Sequence, residues 1–290
     1  MEQQLIELYV LVCEVYDKHA DLKSQRLSNF RPRCTDEELL TMYLFGHLQG
    51  LAQQRRIYAY VRGHWHAWFP ALPTYQAFNR RLNELVSAFE QLIGEALSTS
   101  VTELSSGAEH LIDSMPVMLA KGGRSKRARV AREVADKGFC ASKSSYYYGV
   151  KLHTIALRRT RQLPLPALLH LSRASQHDLA ALREINPTLG KCYLFGDKAY
   201  SDQETTAVFA ARGTHLVTPY KRKRNEPETA APALWSRFIS SVRQPLESLF
   251  SWLIQRTDIQ NASRVRSTKG LLLHCYGKLA VACLLLTSYS

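Results

Sequence analysis

Apolar side chains recur at helical spacing throughout the first hundred residues. The first amphipathic run predicts a helix whose apolar face carries Leu5, Leu8, Tyr9, Val12, Val15 and Tyr16. Thr35 and Glu38 form a capping box that opens a second helix, which Gly50 ends. A third helix follows, and a long fourth one begins after Pro73. The pattern therefore predicts an all-α N-terminal domain over residues 1–105.

The periodicity changes after a linker-like segment, Ser105-Ser106-Gly107. Short apolar runs rich in β-forming residues then predict strands at 110–117, 146–157, 163–171, 191–195 and 214–217. Two helix-like stretches separate the later runs. Three early strands followed by alternating helix and strand predict an α/β domain over residues 106–290, with a mixed sheet flanked by helices and further helices at its C-terminal end.

Composition agrees with a chain that folds around its own core. The 290 residues are 46% hydrophobic, which is enough for two domains. None of the six cysteines belongs to a CxxC pair, and the N-terminal segment carries acidic residues where a secretory signal would carry positive charge. Both observations favour a reducing cytoplasm.

The last apolar stretch, residues 270–290, has about the length of a membrane span. It contains His274 and Lys278, which would be costly at mid-bilayer. A buried terminal helix is therefore favoured over a membrane anchor, and no membrane partner is expected.

The charge is strongly basic and unevenly distributed. Thirty-eight Lys and Arg stand against 25 Asp and Glu, which gives a net charge of +13. Residues 1–110 hold ten basic against thirteen acidic residues, so residues 111–290 hold 28 against 12 and carry the whole excess. Such an excess favours a polyanionic partner, nucleic acid before a membrane surface.

Two basic segments lie within this C-terminal part. Residues 121–132 contain six cations and no acid, directly after the first predicted strand. Residues 221–224 are all basic. Each segment either contacts DNA phosphates or is a solvated loop. The candidate phosphate contacts are Lys121, Arg124, Lys126, Arg127, Arg129, Lys221, Arg222, Lys223 and Arg224.

Three carboxylates stand where a metal site can form. Asp113 interrupts the first apolar strand, where an uncompensated carboxylate is costly. Asp197 closes a short apolar strand, at an edge where α/β sites assemble, and Glu247 begins an amphipathic helix that can aim at both aspartates. Oxygen ligands of this kind suit Mg²⁺ and phosphoryl transfer. Spacing alone is a weak signal, because 25 acidic residues offer many triplets and most strand-end aspartates cap turns.

A series of motifs in a fixed order is more specific. The motifs are IDSMPV around Asp113, ADKGFCASKSSYYYGVKLH, the pair His177-Asp178, GDKAYSD around Asp197, and an R-x-x-x-E pair formed by Arg243 and Glu247. In this combination the chain resembles the bacterial DDE insertion-sequence transposases and is most similar to the insertion-sequence 982 group. The resemblance runs through most of residues 111–285.

The resemblance implies an RNase H-like core on which Asp113, Asp197 and Glu247 are catalytic and hold two Mg²⁺ ions, with Mn²⁺ able to substitute. It implies cleavage of insertion-sequence ends and their joining to target DNA, with water and then a DNA 3′-hydroxyl as nucleophile. The implied partner is double-stranded DNA with terminal inverted repeats, bound by two copies of the chain. The helical domain is then a candidate for end binding, and Arg243 for a DNA contact.

Two other functions stay open on the sequence. One is a non-catalytic DNA-binding regulator derived from a transposase, and the other is a host RNase H-like nuclease that cleaves without joining. The related Y-x-x-R-x-x-x-E-x-x-x-x-x-x-K signature is matched only at Arg243 and Glu247, because Ser240 and Ile254 occupy its tyrosine and lysine positions. Steps assigned to those two positions, including hairpin formation, are not carried over to this chain.

One short pattern occurs twice, as Asp-Lys-Gly at Asp136 and as Asp-Lys-Ala at Asp197. The residues before Asp136 are mixed polar and suit a helix or loop. Those before Asp197 form an apolar run, and Gly196 lets the backbone turn sharply. Asp197 is therefore preferred as the second metal ligand.

Overall fold

The structure is a computed structural model and describes residues 1–24, 32–101, 108–221 and 230–287. The chain divides into two compact units. The helical unit comprises Met1–Thr99, Gln255–Ile259 and Val265–Ser290, and the sheet unit comprises Ser100–Ile254 and Gln260–Arg264. The last helix belongs to the helical unit, and the predicted boundary between residues 105 and 106 stays a prediction.

Ten α-helices fall within the described residues. In chain order they are α1 Glu2–Lys18, α2 Ala20–Ser24, α3 Asp36–Leu48, α4 Gln54–His64, α5 Tyr75–Leu82, α6 Val86–Val101, α7 Asp178–Ile185, α8 Gln203–Ala210, α9 Ala230–Thr257 and α10 Thr268–Thr287. The helical unit holds α1 to α5, nearly all of α6, and α10, whereas the sheet unit holds α7, α8 and most of α9.

Local sequence explains where helices of the helical unit begin and end. The predicted capping box is present at α3: the Thr35 hydroxyl accepts from Glu38 N, and the Glu38 carboxylate accepts from Thr35 N at 2.7 Å. The single long helix predicted after Pro73 is wrong, since the chain forms α5 and α6 instead. Beyond Leu82 the backbone bonds shorten to three-residue spacing, with Leu85 N donating to the Leu82 carbonyl, and this tightening ends α5.

The apolar helix α10 packs against α3. Gly277 permits the close approach, because a Cβ there would lie 2.7 Å from the Tyr43 hydroxyl oxygen. Length and composition alone would let α10 cross a membrane, but 67% of its most apolar window is buried within the protein. The packing on α3 is the physical reason why α10 belongs to the helical unit.

Two polar side chains of α10 lie in this interior and bind backbone carbonyls. Lys278 Nζ donates to the Asp258 carbonyl at 3.0 Å, and His274 Nε2 lies 2.8 Å from the Ile259 carbonyl. Burial lowers the pKa of Lys278 to about 8. The residues that are costly in a bilayer are thus hydrogen-bonded within the helical unit.

Six strands of the described residues form one sheet. They are β1 Ala108–Lys121, β2 Asp136–Cys140, β3 Ser145–Leu157, β4 Leu165–Arg173, β5 Cys192–Phe195 and β6 Thr214–Val217. The order is β2-β3-β1-β5-β6, and β4 also pairs with β3. The pairs of β3 with β1, β2 and β4 are antiparallel, whereas β1-β5 and β5-β6 are parallel. This mixed sheet with flanking helices, preceded by a helical region, confirms the predicted α/β class and RNase H-like core.

The strand β2 is missing from the predicted set. Asp136, expected in a helix or loop, is its first residue and pairs with Gly149 of β3. The residues before Asp136 are mixed polar and give no strand signal, so the sequence does not predict β2. The strand forms because its five residues pair with five residues of β3. Gly138 lets the chain pass close to the end of β4, because a Cβ there would lie 2.3 Å from the Ala174 carbonyl oxygen.

Candidate carboxylate centre

Asp113 and Asp197 lie at the same level of two neighbouring parallel strands. The last paired residues of β1 and β5 are Leu111 and Phe195, and each aspartate follows its own strand's member of that pair by two residues. Residues two apart along an extended chain point to the same side. The register therefore brings the first two predicted ligands next to each other at the C-terminal end of β5.

The Asp113 carboxylate is largely buried and is hydrogen-bonded at both oxygens. Its side chain is 23% exposed, Oδ2 accepts from Arg243 Nη2 at 2.8 Å, and Oδ1 accepts from the Ser114 backbone N at 2.8 Å. The pKa of Asp113 is raised to about 6, chiefly by burial; Arg243 and the Ser114 N–H act against the rise, and Asp197 and Asp178 add to it. Asp113 thus sits among other carboxylates with Arg243 as its bonded cation.

Asp197 is fixed by the turn that follows β5. Its Oδ1 accepts from Ala199 N at 2.8 Å and caps a short 3₁₀ helix, Lys198–Tyr200. Gly196 leaves room for the packing at this turn, because a Cβ there would lie 3.0 Å from the Tyr200 ring and 3.1 Å from Ile112. A glycine at this position lets β1 and β5 approach closely where the two aspartates stand.

Tyr200 is buried next to Gly196, in the turn that follows β5. Its side chain is fully buried, and its hydroxyl has no hydrogen-bond partner among the described residues. Burial raises the pKa of Tyr200 well above its ordinary value, and the charges of Asp178, Asp113 and Asp197 add to the rise. The phenol therefore lies within electrostatic reach of three carboxylates.

Glu247 lies on α9 and not at its start. The helix begins at Ala230 and continues through Pro245, so the expectation that Glu247 begins the helix is wrong. A proline inside a helix is costly, but buried residues on both sides, Val242 and Leu246, hold the helix together. Glu247 is exposed and follows Arg243 by four residues, which places both side chains on one face of α9.

The predicted triad is not assembled as a closed metal site. In the part of the chain that the structure describes, no group of three or more His, Cys, Asp or Glu side chains is arranged to hold an ion. The donor chemistry nevertheless fits Mg²⁺, which prefers carboxylate oxygens with water. Asp113 supports this fit, because its raised pKa reflects burial together with two neighbouring negative charges.

The other predicted DNA contacts fall into three groups. Arg243 is 13% exposed and is engaged with Asp113. Residues 222–224 lie outside the described residues, whereas Lys221 is exposed. The segment after β1 begins with a 3₁₀ helix, Gly122–Lys126, which Ser125 stabilises by donating to the Gly122 carbonyl at 2.6 Å. Its five candidate cations are all exposed: Lys121, Arg124, Lys126, Arg127 and Arg129.

Sequence reasoning assigns no role to several polar residues that meet beside Asp113. Asp178 accepts from Ser114 Oγ at 2.9 Å and from Lys151 Nζ at 3.1 Å. Asp178 and Lys151 both stand in the quoted motifs, which is the only signal that the sequence offers for them. Their contact joins β1, β3 and the start of α7.

One comparison with known proteins gives a match. The family model described as a transposase DDE domain matches residues 105–268, which is more than half of the chain and includes Asp113, Asp197 and Glu247. Neither the comparison with curated proteins nor that with solved structures gives a match.

Proposed function

Because this chain belongs to the transposase DDE domain family, we propose that it is an insertion-sequence transposase of the 982 group that cleaves the ends of its element and joins them to target DNA. The observation that supports the proposal is that Asp113 and Asp197 each lie two residues beyond the last pair of β1 and β5, Leu111 and Phe195. The hydrogen bond from Arg243 to Asp113 connects α9, the helix that also carries Glu247, to the first of these aspartates.

The residues that would hold Mg²⁺ are Asp113, Asp197 and Glu247. Two bound ions, or Mn²⁺ in their place, would supply activation of the attacking oxygen and stabilisation of the leaving oxygen. The attacking group is water in cleavage and a DNA 3′-hydroxyl in joining, so no protein side chain has to act as nucleophile. Arg243 and the Ser114 N–H orient the Asp113 carboxylate between them.

The partner in this proposal is double-stranded DNA, as the terminal inverted repeats and as the target. The exposed cations after β1 would bind phosphates without reading sequence, together with residues 221–224. The helical unit would bind the ends, two copies of the chain would bring two ends together, and the reaction would take place in the bacterial cytoplasm at the nucleoid.

The test uses the purified full chain with DNA that carries its native element ends and Mg²⁺. Wild type should nick at the element ends, whereas Asp113→Asn and Asp197→Ala should bind the ends but not nick them. Asp136→Ala is the matched control, because Asp136 stands in the same Asp-Lys-small pattern but its carboxylate binds Ser175 N at 2.9 Å. A nicking Asp197→Ala protein beside an inactive Asp136→Ala protein would refute the ligand assignment.

The same preparation separates the competing functions. A non-catalytic regulator would bind the ends without nicking under any metal condition. A host nuclease would nick DNA but would not transfer pre-cleaved ends to a target plasmid. Joined products from pre-cleaved ends therefore distinguish a transposase from both.

A further inference from the structure

Ser114 is bonded to two different carboxylates. Its backbone N donates to Asp113 Oδ1 at 2.8 Å, and its hydroxyl donates to Asp178 Oδ1 at 2.9 Å. Consecutive residues of a strand point to opposite faces, so Asp178 reaches β1 from the side opposite to the side chain of Asp113. One residue thus connects Asp178 to the first predicted metal ligand.

Asp178 Oδ1 also meets two basic side chains of β3. Lys151 Nζ donates to it at 3.1 Å and to the Gln176 carbonyl at 2.8 Å, and the Lys151 side chain is only 15% exposed. His153 is 1% exposed, and its Nδ1 lies 3.8 Å from the same oxygen without a hydrogen-bond partner in the described residues. The pairings Ser114–His153 and Pro116–Lys151 between β1 and β3 place these groups on one face of the sheet.

Helix capping does not account for Asp178. The N-cap of α7 is His177, whose Nδ1 accepts from Leu179 N at 3.3 Å. Asp202 shows what a capping aspartate looks like in this chain, since its carboxylate accepts from both the backbone N and the hydroxyl of Thr205 at 2.8 Å. The Asp178 carboxylate instead turns to β1 and β3.

We infer that Asp178 is a positioning residue of the carboxylate centre: it holds Ser114, and through Ser114 the backbone and carboxylate of Asp113, while Lys151 holds Asp178. This inference rests on the proposed function, in which Asp113 is a metal ligand. Groups that hydrogen-bond to a metal's ligands typically change metal affinity or activity by roughly 10- to 100-fold when they are removed. Because Asp178 acts through Ser114, we expect Asp178→Ala to weaken Mn²⁺ binding by roughly 10-fold, the lower end of that range, and to lower kcat for end nicking, with the KM for DNA unchanged.

The test measures Mn²⁺ binding to the full chain by calorimetry, and end nicking in parallel. Asp178→Ala is compared with Asp202→Ala, an aspartate of the same sheet unit that caps α8 and binds Arg183 of α7. Among the described residues, Asp202 has no hydrogen bond to Asp113, Ser114 or Asp178. Asp202→Ala should bind Mn²⁺ as wild type does. Asp178→Asn keeps an oxygen that accepts from Ser114 but loses its charge, so its Mn²⁺ affinity should lie between those of Asp178→Ala and wild type. If the alanine variant does not fold, a weaker Mn²⁺ affinity of Asp178→Asn than of wild type tests the inference instead.

A double-mutant cycle identifies the route. If Asp178 acts through Ser114, Ser114→Ala and Asp178→Ala should each weaken Mn²⁺ binding, and together they should cost no more than the larger single effect. Additive losses would refute the route through Ser114.

Several results would overturn the inference. Wild-type Mn²⁺ affinity and nicking in Asp178→Ala would do so, as would an equal loss in Asp202→Ala. If wild type itself neither bound Mn²⁺ nor nicked its ends, the proposed function would fail first and the inference with it. A normal wild type beside an unaffected Asp178→Ala protein overturns the inference alone.

Discussion

Replacing Asp113 by asparagine should remove a gain in the free energy of unfolding that wild type shows as the pH falls, because this carboxylate is buried. The pKa of Asp113 is raised from 3.8 to about 6 in the folded protein. Between these two pH values the folded state binds a proton that the unfolded state has released. Wild type therefore gains stability as the pH falls through 6 towards 4, and an asparagine at this position cannot contribute that gain.

The magnitude follows from the difference between the two pKa values. At about 1.4 kcal/mol per tenfold change in proton affinity, the full effect is about 3 kcal/mol. About 2 kcal/mol of it should appear between pH 7.5 and 4.5. The loss of the charged partner of Arg243 in the variant is a constant term across this range, because neither the guanidinium nor the substituted amide titrates there.

The assay is urea unfolding of wild type and Asp113→Asn at several pH values without added divalent metal. The free energy of unfolding of the variant, relative to wild type, should fall by about 2 kcal/mol from pH 7.5 to 4.5. Asp202→Asn is the control: hydrogen bonds from Thr205 lower the pKa of Asp202 to about 2, so its relative stability should stay constant in this range and change only below pH 4. A flat or opposite Asp113 profile would refute the argument from burial.

Three further predictions concern other parts of the chain. Gly277→Ala should lower the free energy of unfolding by about 1–3 kcal/mol because its Cβ meets Tyr43, whereas Gly94→Ala, with nothing within 4 Å of the new Cβ, should not; equal effects would contradict the packing explanation. Lys278→Met should raise the free energy of unfolding relative to wild type, most strongly near pH 7. This difference should shrink by about 2 kcal/mol by pH 10, because burial lowers the pKa of Lys278 to about 8 and wild type becomes more stable once the lysine is neutral. A difference that is constant with pH would argue against a buried charge. Neutralising the exposed cations after β1 should reduce the log-log salt slope of DNA binding by roughly 0.9 per lost phosphate contact, and an unchanged slope would identify them as bystanders. The cations to replace are Arg124, Lys126, Arg127 and Arg129.

The sequence allows the fold to be predicted where local patterns decide it. The capping box at Thr35 and the apolar runs of the sheet are read from neighbouring residues, and both are present. The prediction of secondary structure fails where the conformation of a residue depends on residues that are distant in the sequence but adjacent in the fold. Asp136 is in a strand because β3 offers it a partner, and α9 extends through Pro245 because buried residues flank that proline.

The candidate site is predicted only in part, for a related reason. Asp113 and Asp197 each close or interrupt an apolar run, so the sequence marks them before any pairing is known. Arg243 is expected on DNA, but its position against Asp113 follows from how α9 lies beside the sheet. Asp178 stands 64 residues from Ser114 along the chain, and no local pattern predicts that their side chains bond.

The contacts of Asp178 with Ser114 and Lys151 depend on the register of one antiparallel strand pair, β1 with β3. A shift of β3 by one residue along β1 would turn Lys151 and His153 to the other face and remove both from Asp178. Gly149 restricts that register: it pairs with Met118, and a Cβ there would lie 2.0 Å from the Val117 carbonyl oxygen. Only glycine can lie so close to β1 at the edge of the irregularity between Met118 and Ala120. A glycine in the strand that carries Lys151 and His153 therefore helps to decide which side chains reach Asp178, and this is information that the motif around Asp113 does not contain.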